Sequence, residues 1–172
     1  MAGGGFFLVI EGLIDRLVSG SSAPQSGAWV IYAAVTVDLF SDGLLTGTGS
    51  AIAFDLALVL AIGQVTADIP EGFATVANFK AKNTSRARRL LITASFAVPV
   101  LAGAALSYFL LRGQSEALQL AALAFTAGLL LTAASEEIIV EAHEAAADSR
   151  SAVLAISGGF VLFALVASYF EV

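Results

Sequence analysis

The chain has 172 residues, 58% of them hydrophobic and only 13% charged, with a mean hydropathy of +0.89. A soluble domain carries roughly 25% charged residues, so this is the composition of a membrane protein. The net charge of −6 argues against a nucleic-acid partner, and the lack of cysteine excludes disulfides and thiolate metal sites.

Met1 to Gly5 has none of the positive charge that opens a cleavable signal peptide. Residues 4–18 read as a short N-terminal helix that carries Glu11 and Asp15 and barely reaches across a ~30 Å hydrocarbon core. Ser19 to Gly27 is a polar loop rich in Gly and Ser. Residues 28–53 form the first full span. Trp29 and Tyr32 open it and suit a membrane interface. Asp38 and Asp42 follow, then Gly43, Gly47, Gly49 and Ser50, small residues that let a neighbouring helix come close. A tight turn at Phe54 and Asp55 leads into the second span, residues 56–78, which contains Asp68-Ile69-Pro70-Glu71-Gly72.

Phe79 to Arg89 holds Lys80, Lys82, Arg86, Arg88 and Arg89, most of the basic residues in the chain. The positive-inside rule puts this loop in the cytoplasm and the C-terminus outside. Contact with lipid headgroups is a secondary role for it. The remaining spans are residues 90–111, bent at Pro99, residues 117–145, and residues 151–170. The expected fold is therefore all-α: one polytopic transmembrane helix bundle over residues 1–172, with five full spans and the short first helix, in a cell membrane.

Charged side chains at mid-membrane depth are costly and usually have a task and a partner. Asp38 and Asp42 are four apart and share one helix face, and Asp68 and Glu71 are three apart on the next helix. The tight turn makes the two spans antiparallel neighbours. Asp42 and Asp68 then lie at nearly one depth, ~18–20 Å from the turn at ~1.5 Å per residue. Four carboxylates at that depth cannot all be ionised without a counter-charge. The two spans offer no Lys or Arg there, whereas a divalent cation or bound protons would serve. An all-oxygen ligand set favours hard cations such as Mg²⁺ or Mn²⁺, and affinity rises toward Fe²⁺ and Zn²⁺ along the Irving–Williams order. Glu137 and Glu141, with Glu136 beside them, repeat the pattern on a later span.

Asp38-Leu39-Phe40-Ser41-Asp42-Gly43-Leu44, followed by Ala67-Asp68-Ile69-Pro70-Glu71-Gly72, resembles the paired fourth and fifth helices of the ZIP (Zrt/Irt-like) metal transporters. Glu136-Glu137-Ile138-Ile139-Val140-Glu141-Ala142-His143 is similar to their seventh helix. The resemblance runs from the end of the third helix to the eighth. It implies a carrier that moves divalent metal (Zn, Fe or Mn class) into the cytoplasm. It also implies metal ligands at Asp38, Asp42, Asp68, Glu71 and Glu137. Leu39 and Ala67 stand where the family has further ligands, which makes this an all-oxygen variant. Because the match leaves out the first helices of the family, either a homodimer or a partner supplying them is expected to complete the path.

No arrangement of nucleophile and base points to an enzyme, and no cofactor is expected beyond the metal as cargo. The alternative to a transporter is a non-transporting or partner-dependent membrane subunit whose carboxylates are structural, protonated and hydrogen-bonded between helices.

Overall fold

The computed structural model describes residues 26–144 and 149–170. The expected helix over residues 4–18, with Glu11 and Asp15, lies outside the described residues, as do the side chains of residues 136–144 and 149–152. Every described element is a helix: α1 (Ser26–Ile52), α2 (Phe54–Ala81), α3 (Arg86–Ser95), α4 (Ala97–Leu111), α5 (Glu116–Glu144) and α6 (Ser149–Tyr169). Lipid leaves backbone N–H and C=O groups no water to bond, so a spanning segment must satisfy them within itself. Among the described residues, four stretches are long and apolar enough to cross: Ala28–Ile52, Phe54–Ala81, Arg86–Leu111 and Glu116–Ser135. The apolar part of α6, Val153–Tyr169, is shorter. At ~1.5 Å per residue it sits at the lower limit of a span.

The bundle is built on α1, which packs against α2, α4 and α5. Its contact with α4 depends on missing side chains. A Cβ on Gly43 would strike the Val100 carbonyl, one on Gly47 the Ala104 carbonyl and the Ser107 hydroxyl, and one on Gly103 the Phe40 carbonyl. Backbone therefore lies directly against backbone, the approach that drives helix association where lipid offers no hydrophobic contrast. Hydroxyls in α1 bond back along their own helix: Thr36 donates to the Tyr32 carbonyl (2.7 Å), Thr48 to that of Leu44 (2.7 Å) and Ser50 to that of Thr46 (2.9 Å). These bonds satisfy polar groups without calling on a neighbour.

Only Ala53, in extended conformation, separates α1 from α2, so the turn is tighter than the expected Phe54-Asp55 corner, and both those residues are already helical. The third span does break, but upstream of its proline. The pyrrolidine nitrogen of Pro99 cannot serve the carbonyl four residues earlier. That residue is Ser95, where α3 ends, and Phe96 bonds instead to the Thr93 carbonyl (3.2 Å) before α4 continues. On the far side, Gln119 of α5 donates to the carbonyls of Ala51 (3.3 Å) and Leu111 (3.0 Å). It thereby caps the last turns of α1 and α4, whose carbonyls have no partner in their own helices. The last helix, α6, meets α2 where the Phe163 ring covers Gly63.

At the opposite end an aromatic cluster ties three elements together. Trp29 meets Phe79 edge-on at 5.4 Å, Tyr32 stacks on Phe96 at 5.1 Å, and the Tyr32 hydroxyl bonds to Ser95 Oγ at 2.7 Å. Between this cluster and the middle of α2, Thr75 is fully buried, and its hydroxyl has no hydrogen-bond partner among the described residues.

Three variants test this packing. Gly47→Val should lower thermal stability in detergent by about 1–3 kcal/mol or more, because an overpacked contact cannot relax against backbone. Gly158→Ala, at a site open to its surroundings, should cause no loss. Thr75→Val should raise the melting temperature, since it keeps the shape and removes a buried hydroxyl whose desolvation costs about 1–3 kcal/mol.

Candidate metal site

Three of the five expected ligands come together. Oxygens of Asp38, Asp42 and Asp68 lie within 4.8 Å of one another. Asp38 and Asp42 share a face of α1, and the Ala53 turn folds α2 back so that Asp68 meets them at the matching depth. Asp42 is buried, with 6% of its surface exposed, whereas Asp38 and Asp68 are half-buried. Glu71, one turn beyond Asp68, is half-buried and does not join that group. Glu137 lies on α5, and its side chain is outside the described residues. Leu39 is buried beside Asp38, while Ala67 is exposed.

Gln64 is a member of the site that motif reading did not single out. Its Nε2 donates to the Asp42 carbonyl (3.0 Å) and to Asp42 Oδ1 (2.9 Å), and its Oε1 accepts from the Thr46 hydroxyl. The arrangement inverts the local habit of α1. A threonine in a helix commonly bonds the carbonyl four residues back, as Thr36 and Thr48 do, and for Thr46 that carbonyl belongs to Asp42. The amide of Gln64 is inserted between the two and takes both. Because the Asp42 carbonyl can only accept, the amide turns its nitrogen to Asp42 and its oxygen to the Thr46 hydroxyl. The signal was present in the sequence: Gln64 precedes Asp68 by four residues and so shares its face of α2.

The site's chemistry is that of hard oxygens. Among the described residues, no nitrogen or sulfur ligand joins the three carboxylates. Pro70 sits two residues past Asp68 and lacks an N–H, which frees the Thr66 carbonyl of its helical partner. No protein-family model, curated protein or solved structure matches the chain.

Removing the amide should be felt in the apo protein. Gln64→Leu takes one donor from the buried Asp42 carboxylate and one from the Asp42 carbonyl, and should cost about 1–3 kcal/mol. Thr46→Val leaves those donors and removes only the partner of the amide oxygen, and should cost less. Thermal unfolding of both variants in detergent measures the order.

Proposed function

We propose that this protein carries divalent metal cations of the Zn, Fe or Mn class across the membrane toward the cytoplasm. The observation that supports this reading is the convergence of Asp38, Asp42 and Asp68 within 4.8 Å, on helices long and apolar enough to span a bilayer. Acids on a water-facing surface gather at little cost, whereas acids between membrane helices need a counter-charge. A divalent cation supplies it and accepts monodentate carboxylates, backbone carbonyls and retained water. The resemblance of both acidic segments to the paired helices of ZIP transporters points the same way.

In this reading the cation enters from the outer face and exchanges water for the oxygens of Asp38, Asp42 and Asp68. Glu71, a turn further along α2, takes it next, and it leaves past Glu137 on α5. Rocking of one helix group against another gives alternating access. The basic loop over residues 79–89 faces the cytoplasm, and the C-terminus faces outward. A homodimer or a separate partner supplies any further wall the path needs.

One observation favours a second reading. The paired bonds from Gln64 to Asp42 are what a structural carboxylate of a non-transporting subunit would also make. Transport separates the two. Purified protein in liposomes should take up Mn²⁺, and Asp68→Ala combined with Glu71→Ala should reduce uptake to background. Uptake that is unchanged in that double variant would sink the proposal. Protons compete for the same oxygens, because a carboxylate must be deprotonated to hold the metal. Mn²⁺ binding should therefore weaken as pH falls and recover as it rises, as read by calorimetry on the detergent-solubilised chain.

A further inference from the structure

The loop between α2 and α3 is more ordered than a topology signal requires. Asn83 adopts a left-handed backbone (φ 57°). Its N–H reaches the Lys80 carbonyl (3.0 Å), and that of Thr84 reaches the Phe79 carbonyl (3.1 Å). These are the paired bonds of a Schellman motif, with asparagine where glycine is usual. Arg89 then clamps the Thr84 carbonyl at 2.8 Å, and Ser85 caps α3 by accepting from the Arg88 N–H at 3.4 Å. A cavity of about 420 Å³ opens beside this loop, between the first turn of α1 and the last turn of α2. Ala28, Trp29 and Phe79 line one part of it, and Lys82, Ser85 and Arg88 another.

We propose that this cavity holds the phosphate-bearing headgroup of an anionic membrane lipid. Its position comes first: it lies at the ends of spanning helices, beside the interfacial Trp29, where headgroups are found. Its lining is divided as an amphiphile is divided. Lys82 and Arg88 supply two positive charges, and the guanidinium fork matches phosphate oxygens. The Ser85 hydroxyl accepts in its cap, which leaves its hydrogen for a phosphate oxygen. Trp29 and Phe79, held edge to face, offer apolar surface to the glycerol and the first methylenes. Basic pockets between membrane helices on the cytoplasmic side are the recurrent setting for anionic headgroups. The metal path uses none of these residues, so the site stands apart from the proposed transport.

Trp29 is the sole tryptophan of the chain and is 51% exposed, so its emission reports on this cavity. The full-length protein in detergent is titrated with brominated phosphatidylglycerol, with equally brominated phosphatidylcholine, and with inorganic phosphate as a competitor. Phosphatidylglycerol should quench saturably and phosphatidylcholine far less. Lys82→Ala with Arg88→Ala should raise the quenching midpoint roughly tenfold or more, whereas Lys80→Ala with Arg86→Ala removes equal charge outside the cavity and should raise it less than about threefold. Equal effects of the two pairs would reduce the binding to general surface charge and overturn the site. Equal quenching by phosphatidylcholine would overturn the headgroup assignment. Reversal by inorganic phosphate at the lipid's own concentration would overturn the lipid and leave a free phosphate as the ligand.

Discussion

A polar group in the hydrocarbon layer must find its partner inside the protein, and Asp42 is where that constraint bears hardest. It is the most buried charge-bearing side chain among the described residues, and it sits mid-way along the helix on which the bundle is built. Its carbonyl and carboxylate are met by one glutamine from the next helix. For that glutamine to arrive, α2 must run antiparallel to α1 at a fixed register. The one-residue turn at Ala53 provides this register. Shifting α2 by a single residue rotates its faces by about 100° and carries Gln64 and Asp68 away together. Turn, register and acid cluster are thus one constraint seen at three places.

The other side of α1 answers a different need. Its glycines admit the backbone of α4, and Gly103 of α4 admits the backbone of α1 in return. The close approach leaves α1 no freedom to roll, and so fixes the direction in which Asp38 and Asp42 point. Dispersion from packed backbone does in lipid what hydrophobic burial does in water. Large apolar side chains are correspondingly placed outward: Phe54, Phe73, Leu91 and Phe160 are all more than 70% exposed, as befits a surface solvated by acyl chains.

Much of this was legible in the sequence, because a membrane simplifies the problem. Apolar runs of spanning length have one stable conformation, so the helical class followed from composition. Depth matching of Asp42 and Asp68 needed only a turn and a rise per residue. What escaped was whatever depends on side-chain reach. Gln64 is an ordinary residue until its amide is seen lying between Thr46 and Asp42. Glu71 shares the helix face of Asp68, yet the extra turn keeps it out of the cluster. Pro99 was read as a bend, and the helix is interrupted instead at Phe96, after Ser95, a full turn earlier. The built loop at Asn83 was hidden for a similar reason: its basic residues read as a charge count, and charge counts carry no shape.

The acidic cluster and the basic cavity share α2, and it matters whether they act on each other. Asp68 and Lys82 are fourteen residues apart, or ~21 Å along the axis. A divalent cation and a singly charged headgroup at that distance interact by about 1.6 kcal/mol at an effective dielectric constant of 20, and salt at the water-facing end reduces this further. An anion in the cavity would therefore change affinity at the proposed cation site by less than about fifteenfold. That is small against the cost of leaving several carboxylates in lipid without a counter-charge. The two proposed sites are thus only weakly coupled. A lipid bound at Lys82 and Arg88 would anchor the end of α2 in its leaflet, and the proposed cation site would rest on its own oxygens.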